Sequence, residues 1–116
     1  MTGTAGFIGN FVALRLLEQG QIVTGIDVVN DYYDVQLKQA RLDRLRDFDN
    51  FLEEPIDLAD SDAVTRVFSE QLPQKVIHLA AQPGVRYSIA NPRAYAKSNI
   101  LAFLNVLEEC RDHEVE

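Results

Sequence analysis

Tryptophan is absent from the 116 residues, and cysteine occurs once, at Cys110. A lone cysteine forbids an intrachain disulfide, which fits a reducing compartment; Cys110 itself reads as a helix core residue. Positive charge is scarce, with 11 Lys and Arg against 18 Asp and Glu and a net charge of −7. Phosphate neutralisation needs clustered cations, so nucleic acid is excluded as a partner. No basic-then-apolar leader opens the chain, and no run of about 18 apolar residues could span a bilayer. Cytoplasmic localisation, no membrane contact and no metal site are therefore expected.

What is present is ordinary for a globular domain: 47% hydrophobic and 25% charged residues, enough for one modest core. Strand-like and helix-like segments alternate without repeats or linkers. "FIGNFVALRLLEQG" puts Ile8, Val12 and Leu16 on one helical row, with Phe11 and Leu14 beside it, and Gly20 suits a left-handed C-terminal cap. "QIVTGID" and "KVIHLAA" read as buried strands. "NFLEEPID" is a weaker strand, because Pro55 is tolerated only at an edge or a strand end.

"DVQLKQARLDRLRDF" reads as a helix whose Lys38, Arg41, Arg44 and Arg46 form a solvated face. "DSDAVTRVFSEQL" starts from the capping residues Asp60 and Ser61 and repeats Val64, Val67, Phe68 and Leu72. Asn91 followed by Pro92 opens a last helix of about twenty residues, reaching the Cys110 region, at 1.5 Å per residue. This alternation implies a doubly wound parallel α/β sheet of the Rossmann kind. In its order 3-2-1-4-5-6 the third strand is an edge, which is where Pro55 fits.

The opening "MTGTAGFIGNF" spaces Gly3, Gly6 and Gly9 as G-x-x-G-x-x-G. One glycine makes a tight turn, one admits close approach of backbone to pyrophosphate, and one allows helix-to-strand packing. The helix starting near Phe7 then offers free N–H groups and its dipole to the phosphates. Asp27 lies eighteen residues past Gly9, at the end of the next strand. A carboxylate there accepts from the adenosine ribose hydroxyls and repels a 2′-phosphate, and no Lys or Arg follows before Lys38; this favours NAD over NADP.

Asp57 and Leu58 follow a strand on the same carboxyl edge. Asp57 is either an acceptor for the adenine amino group, with Leu58 beside the ring, or simply a turn residue. Small Ala80 and Ala81 let a ligand lie close to the backbone. His78 reads as a satisfied core histidine.

Taken together, "TGTAGFIG", "GID" with "NDYYD", "DLAD", "HLAAQPGVRYS" and "NPRAYAKSN" resemble the extended short-chain dehydrogenase/reductase family over nearly the whole chain. Within it they look most like the UDP-glucuronate 4-epimerases, with "GVRYS" and "NDYYD" the specific part. The resemblance implies that Phe7 and Ile8 give backbone N–H groups to the pyrophosphate. It implies that Leu79, Ala80, Ala81 and Gln82 border the nicotinamide half, and that Asn99 faces the cofactor. Arg86 is expected to meet a carboxylate or diphosphate of the substrate, since a planar guanidinium suits either anion; the alternative is an exposed loop charge. Tyr87 and Ser88 are expected as its neighbours in the pocket.

The implied chemistry is NAD-dependent inversion at C4 of a UDP-hexuronic acid through a 4-keto intermediate, by an enzyme whose relatives are often homodimers. In this family the base is a tyrosine with a lysine four residues later. Four places beyond Tyr32, Tyr33, Tyr87 and Tyr95 stand Gln36, Leu37, Asn91 and Asn99, so no catalytic residue is assigned. Residues 1–116 are accordingly expected to form part of an NAD-binding domain. That part is clipped inside its first strand, without later strands or the substrate region, inactive by itself, and unstable unless associated. The alternatives are the cofactor half of a 4,6-dehydratase or another 4-epimerase, or a non-catalytic nucleotide-binding module.

Overall fold

A computed structural model describes residues 1–30 and 34–116. Asp31, Tyr32 and Tyr33 of the "NDYYD" motif lie outside the described residues. The chain forms two compact units, one of Met1–Pro55 with Ile77–Ala80, the other of Ile56–Val76 with Ala81–Glu116.

The first unit holds helix α1 (Phe7–Glu18), strand β1 (Val23–Ile26), helix α2 (Val35–Arg46) and strand β2 (Phe51–Glu54). β1 and β2 pair in parallel, Val23 opposite Phe51 and Ile26 opposite Glu54. Thr2 bridges in parallel to Ile26 on one side and to His78 on the other. The lateral order is thus β2, β1, Thr2, His78, the 3-2-1-4 order expected of the fold. β2 is the edge, and Pro55 stands immediately past its end, where its missing N–H costs no ladder bond. "KVIHLAA", expected as a full strand, appears only as the bridge at His78, where the pairing partner is the single residue Thr2.

α1 ends as anticipated. Gly20 has φ +79°, its N–H bonds Leu17 O at 2.9 Å, and Gln21 N–H bonds Leu16 O at 3.1 Å. That pair of bonds is a Schellman cap, for which the left-handed glycine is required. The buried face does not follow the apolar row. Gly9, Asn10, Ala13 and Leu17 are buried, whereas Ile8 and Phe11 are exposed. Small residues face inward because the helix must approach the glycine loop closely.

The core of this unit joins Ala5, Ala13, Leu17 and Val23 to Leu42 and Leu45 of α2. Each fully buried leucine contributes about 1.5–3 kcal/mol. Asn10 is fully buried in the same interface, and its amide donates to Arg41 O at 2.7 Å. The expected solvated face of α2 needs correction: Lys38 is buried and Arg41 half-buried, while Arg44 and Arg46 are exposed. The α2 face that carries Leu42 and Leu45 also carries Lys38, four residues before Leu42.

The second unit packs α3 (Ser61–Gln71) against α6 (Ala102–Asp112). Val64, Val67 and Phe68 are buried on one helix, Ala102 and Val106 on the other. Asp60 caps α3 by accepting from Ala63 N–H at 3.2 Å. Leu72, expected in the apolar row, is instead 68% exposed with φ 45°; the helix stops there because Pro73 follows. A six-residue helix α4 (Val85–Ala90) precedes α5 (Pro92–Ala96). The long helix foreseen after Asn91 exists but is interrupted by a π-helical turn at Lys97–Leu101 between α5 and α6. Among the described residues no helix is long and apolar enough to cross a membrane, and no cluster of ligating side chains could hold a metal.

Candidate functional site

In the first unit the three glycines take distinct places. Gly3 has φ +77°, and a Cβ there would sit 2.8 Å from the backbone of Leu79 and Ala80. At Gly9 a Cβ would fall 1.9 Å from Gly3 O, so only glycine lets α1 touch the loop. At Gly6 the only nearby atom is Gly3 O at 3.1 Å. Gly6 is the N-cap of α1 and makes no side-chain capping bond. The first N–H groups of the helix, those of Phe7 and Ile8 included, have no intrahelical acceptor, so the loop presents positive backbone dipole.

Asp27 joins this loop directly. Its Oδ2 accepts from Ala5 N–H at 2.9 Å, which puts the acid at the end of β1 beside the residue preceding Gly6. Burial pushes the Asp27 carboxyl above its usual range, opposed by the Ala5 N–H bond and the charge of Lys38. On the other side of the loop, Thr2 Oγ1 accepts from Leu79 N–H at 3.0 Å and Ala80 N–H at 3.1 Å. With two bonds accepted, its own proton is directed to His78 Nδ1, 2.9 Å away. Burial holds His78 below its ordinary pKa, and its ring ties the bridge between Thr2 and the His78 segment.

Arg41 reaches the same loop, donating to Ala5 O at 3.3 Å with its guanidinium 5.8 Å over the Phe7 ring. Ala5 is thereby held at both its N–H and its carbonyl. Sequence reasoning missed Arg41, Lys38 and Thr2. The spacing of Lys38, Leu42 and Leu45 was the available signal for the first helix face. Thr4 Oγ1 is buried without a hydrogen-bond partner among the described residues, at a cost of about 1–3 kcal/mol, and nothing in the structure explains it.

In the second unit Asp57 serves its own turn, accepting from Ala59 N–H at 2.9 Å, and also binds Lys97 Nζ at 2.8 Å. Burial raises its pKa, but the Lys97 and Ala59 hydrogen bonds and the Lys97 charge outweigh this and leave it below the usual carboxylate range. Leu58 is buried, with its carbonyl held by Asn105 at 2.9 Å. Asn99, in the π turn, grips one residue twice. Its Oδ1 accepts from Gln82 N–H at 2.7 Å and its Nδ2 donates to Gln82 O at 3.0 Å. The two bonds pin the backbone next to Ala81, which is exposed; π turns of this sort recur at functional positions. On α4, Arg86 is exposed, Tyr87 OH accepts from Asn91 Nδ2 at 3.3 Å, and Ser88 Oγ donates to Val85 O at 2.6 Å.

A parallel 3-2-1-4 order, a glycine loop feeding an uncapped helix and an acid closing the adjacent strand define a Rossmann-type unit. The family model described as GDP-mannose 4,6 dehydratase matches residues 1–116, and the chain belongs to that family. It is 47% identical over all its residues to the protein CapI of Staphylococcus aureus. It is 45% identical, again over its whole length, to the UDP-glucuronate 4-epimerase of Thermodesulfobacterium geofontis. Among solved structures, a mutant of the UDP-glucuronic acid 4-epimerase from Bacillus cereus, in complex with UDP-4-deoxy-4-fluoro-glucuronic acid and NAD, superposes with a TM-score of 0.88 at 30% identity over 99% of this chain. The chain spans about a third of these proteins, 34%, 36% and 36% of their lengths in turn.

Proposed function

We propose that this chain is the cofactor-binding part of an NAD-dependent nucleotide-sugar 4-epimerase that interconverts UDP-glucuronate and UDP-galacturonate. The observation that carries the reading is the 2.9 Å bond from Ala5 N–H to Asp27 Oδ2, which sets a ribose-binding acid beside a phosphate-binding helix tip. The residues fit a dinucleotide. The α1 terminus lacks a side-chain cap, the Cβ position of Gly6 meets nothing but Gly3 O, and the second Asp27 oxygen makes no hydrogen bond among the described residues.

In this reading Phe7 and Ile8 N–H groups bind pyrophosphate and Asp27 binds the adenosine ribose. Leu79 and Ala80, held by Thr2, border the nicotinamide half. Bound NAD supplies a reversible hydride acceptor for the sugar C4. Considered by itself, the second unit offers Asp57 and Leu58 for adenine, Gln82 positioned by Asn99, and Arg86 with Tyr87 and Ser88 for the sugar nucleotide. Similarity to the UDP-glucuronate 4-epimerases of Thermodesulfobacterium geofontis and Bacillus cereus supports the sugar assignment.

The test is the product formed from UDP-glucuronate by a full-length protein carrying this chain, followed by proton NMR. The C4 epimer is expected. A 4-keto-6-deoxy sugar from another nucleotide hexose, with no epimer, would support the dehydratase alternative suggested by the family model. Arg86→Ala is expected to raise KM for UDP-glucuronate roughly 10-fold or more, as for a lost charge-assisted hydrogen bond, and to leave KM for UDP-glucose nearly unchanged. Equal effects on both sugars would remove Arg86 from carboxylate recognition.

A further inference from the structure

Helix α6 and the π turn before it reach the turn at residues 57–59 at two points. Lys97 Nζ donates to Asp57 Oδ2 at 2.8 Å, and Asn105 Nδ2 donates to Leu58 O at 2.9 Å. Asp57 Oδ1 is engaged separately, by Ala59 N–H at 2.9 Å. Each carboxylate oxygen thus has one fixed protein partner and keeps a lone pair, which sets the plane of the group. Leu58 N–H makes no hydrogen bond among the described residues.

Lys97 and Asn105 are eight residues apart. At about 100° per residue, an uninterrupted α-helix would turn them roughly 80° out of line. The π turn at Lys97–Leu101 takes up about one extra residue. It thereby returns the two side chains to one face, about two turns apart. An ion pair as exposed as Lys97–Asp57 adds little to folding; its effect is to restrict rotation of the carboxylate.

We propose that Lys97 and Asn105 are positioning residues for purine recognition: from one helix face they hold the Asp57 carboxylate and the Leu58 backbone in the arrangement that tells a 6-aminopurine from a 6-oxopurine. The inference rests on the reading of Asp57 and Leu58 as the adenine contacts. Adenine presents an amino donor beside a ring-nitrogen acceptor, which suits a carboxylate next to an unbonded N–H. Hypoxanthine presents the reverse, a carbonyl oxygen beside a ring N–H. Lys97 and Asn105 act through Asp57 and Leu58, not on the base.

The test titrates a full-length protein carrying this chain with NAD+ and with nicotinamide hypoxanthine dinucleotide, which differs only at that edge. The quantity read is the ratio of the two affinities within each variant, because a general loosening of the fold lowers both alike. The original protein is expected to prefer NAD+ by roughly 10-fold or more, and Asp57→Ala to lose that preference. Lys97→Met should lower the ratio by roughly 3- to 5-fold. Lys97→Arg should restore it, and Lys97→Met/Asn105→Leu should bring it close to one. Because Lys97 is exposed, its two single variants decide the matter even where Asn105→Leu does not fold. If Lys97→Met keeps the full preference that Asp57→Ala abolishes, the positioning role is overturned while the adenine reading stands. If the original protein binds both dinucleotides equally, the adenine reading fails, and the positioning role with it.

Discussion

Gly9→Ala is expected to abolish dinucleotide binding and to destabilise the first unit more than any other single methyl added to it. The new Cβ would lie 1.9 Å from Gly3 O and 2.7 Å from Gly3 C. Neither atom is the end of a flexible side chain. Both belong to a backbone already fixed, since a Cβ at Gly3 would itself meet Leu79 and Ala80 at 2.8 Å. The helix must therefore move off the loop, carrying Asn10 away from Arg41 O. Overpacking in a fixed environment costs about 1–3 kcal/mol, and more where backbone cannot yield. Gly20→Ala is the control: its Cβ meets nothing within 4 Å, so only the left-handed φ is penalised, by about 1–2 kcal/mol. Urea unfolding of both variants in a full-length protein carrying this chain, with NAD+ titration, checks the contrast. Equal midpoints for Gly9→Ala and the original chain would contradict it.

The second large effect is at Asp27, where two substitutions separate two duties. Asp27→Asn keeps an oxygen for Ala5 N–H but loses the charge that strengthens bonds to ribose hydroxyls, so NAD+ affinity should fall by roughly 10- to 150-fold. Asp27→Ala also strands the N–H of Ala5, a residue with no exposed surface, at a further cost of about 1–3 kcal/mol in stability. The pH dependence follows from the raised pKa, caused first by burial. A carboxyl whose folded pKa exceeds its unfolded value holds its proton more tightly when folded. Its contribution to stability is full below the unfolded pKa and is lost as pH rises through the folded one. Asp27→Asn removes that loss, so the unliganded variant should equal or exceed the original in stability at neutral pH while binding NAD+ less well. Stability curves of the pair between pH 3 and about 8 would show the crossing; parallel curves would mean the carboxyl is not perturbed.

Much of this architecture was legible because the signals are local. The glycine spacing, the Gly20 cap, the Asp60 cap, the strand ending in Asp27 and the proline past β2 each follow from one residue's backbone or hydrogen-bonding needs. What was not legible depends on tertiary approach. Ile8, Val12 and Leu16 form the apolar row of α1, yet Gly9, Asn10 and Ala13 face inward. Helix-to-loop distance, which periodicity does not encode, selected small residues. Lys38 looked solvated because lysines usually are; its burial depends on Asn30 folding back to receive it. The π turn at Lys97–Leu101 has no composition of its own and is visible only through the double grip of Asn99 on Gln82. The same holds for Asp57, whose two readings turn out to be compatible geometrically, since its turn bond and Lys97 bond leave lone pairs on both oxygens.

The central claim is that the backbone amides at the tip of α1 and the Asp27 carboxylate hold one dinucleotide. Amide chemical shifts of a nitrogen-15-labelled full-length protein carrying this chain, during titration with NAD+, test it most directly. The account predicts saturable shifts that are largest at Gly6, Phe7, Ile8 and Gly9, smaller at Ala5 and Asp27, and absent in Gly9→Ala. A folded chain whose Gly6–Gly9 amides stay unmoved at saturating NAD+ would contradict it.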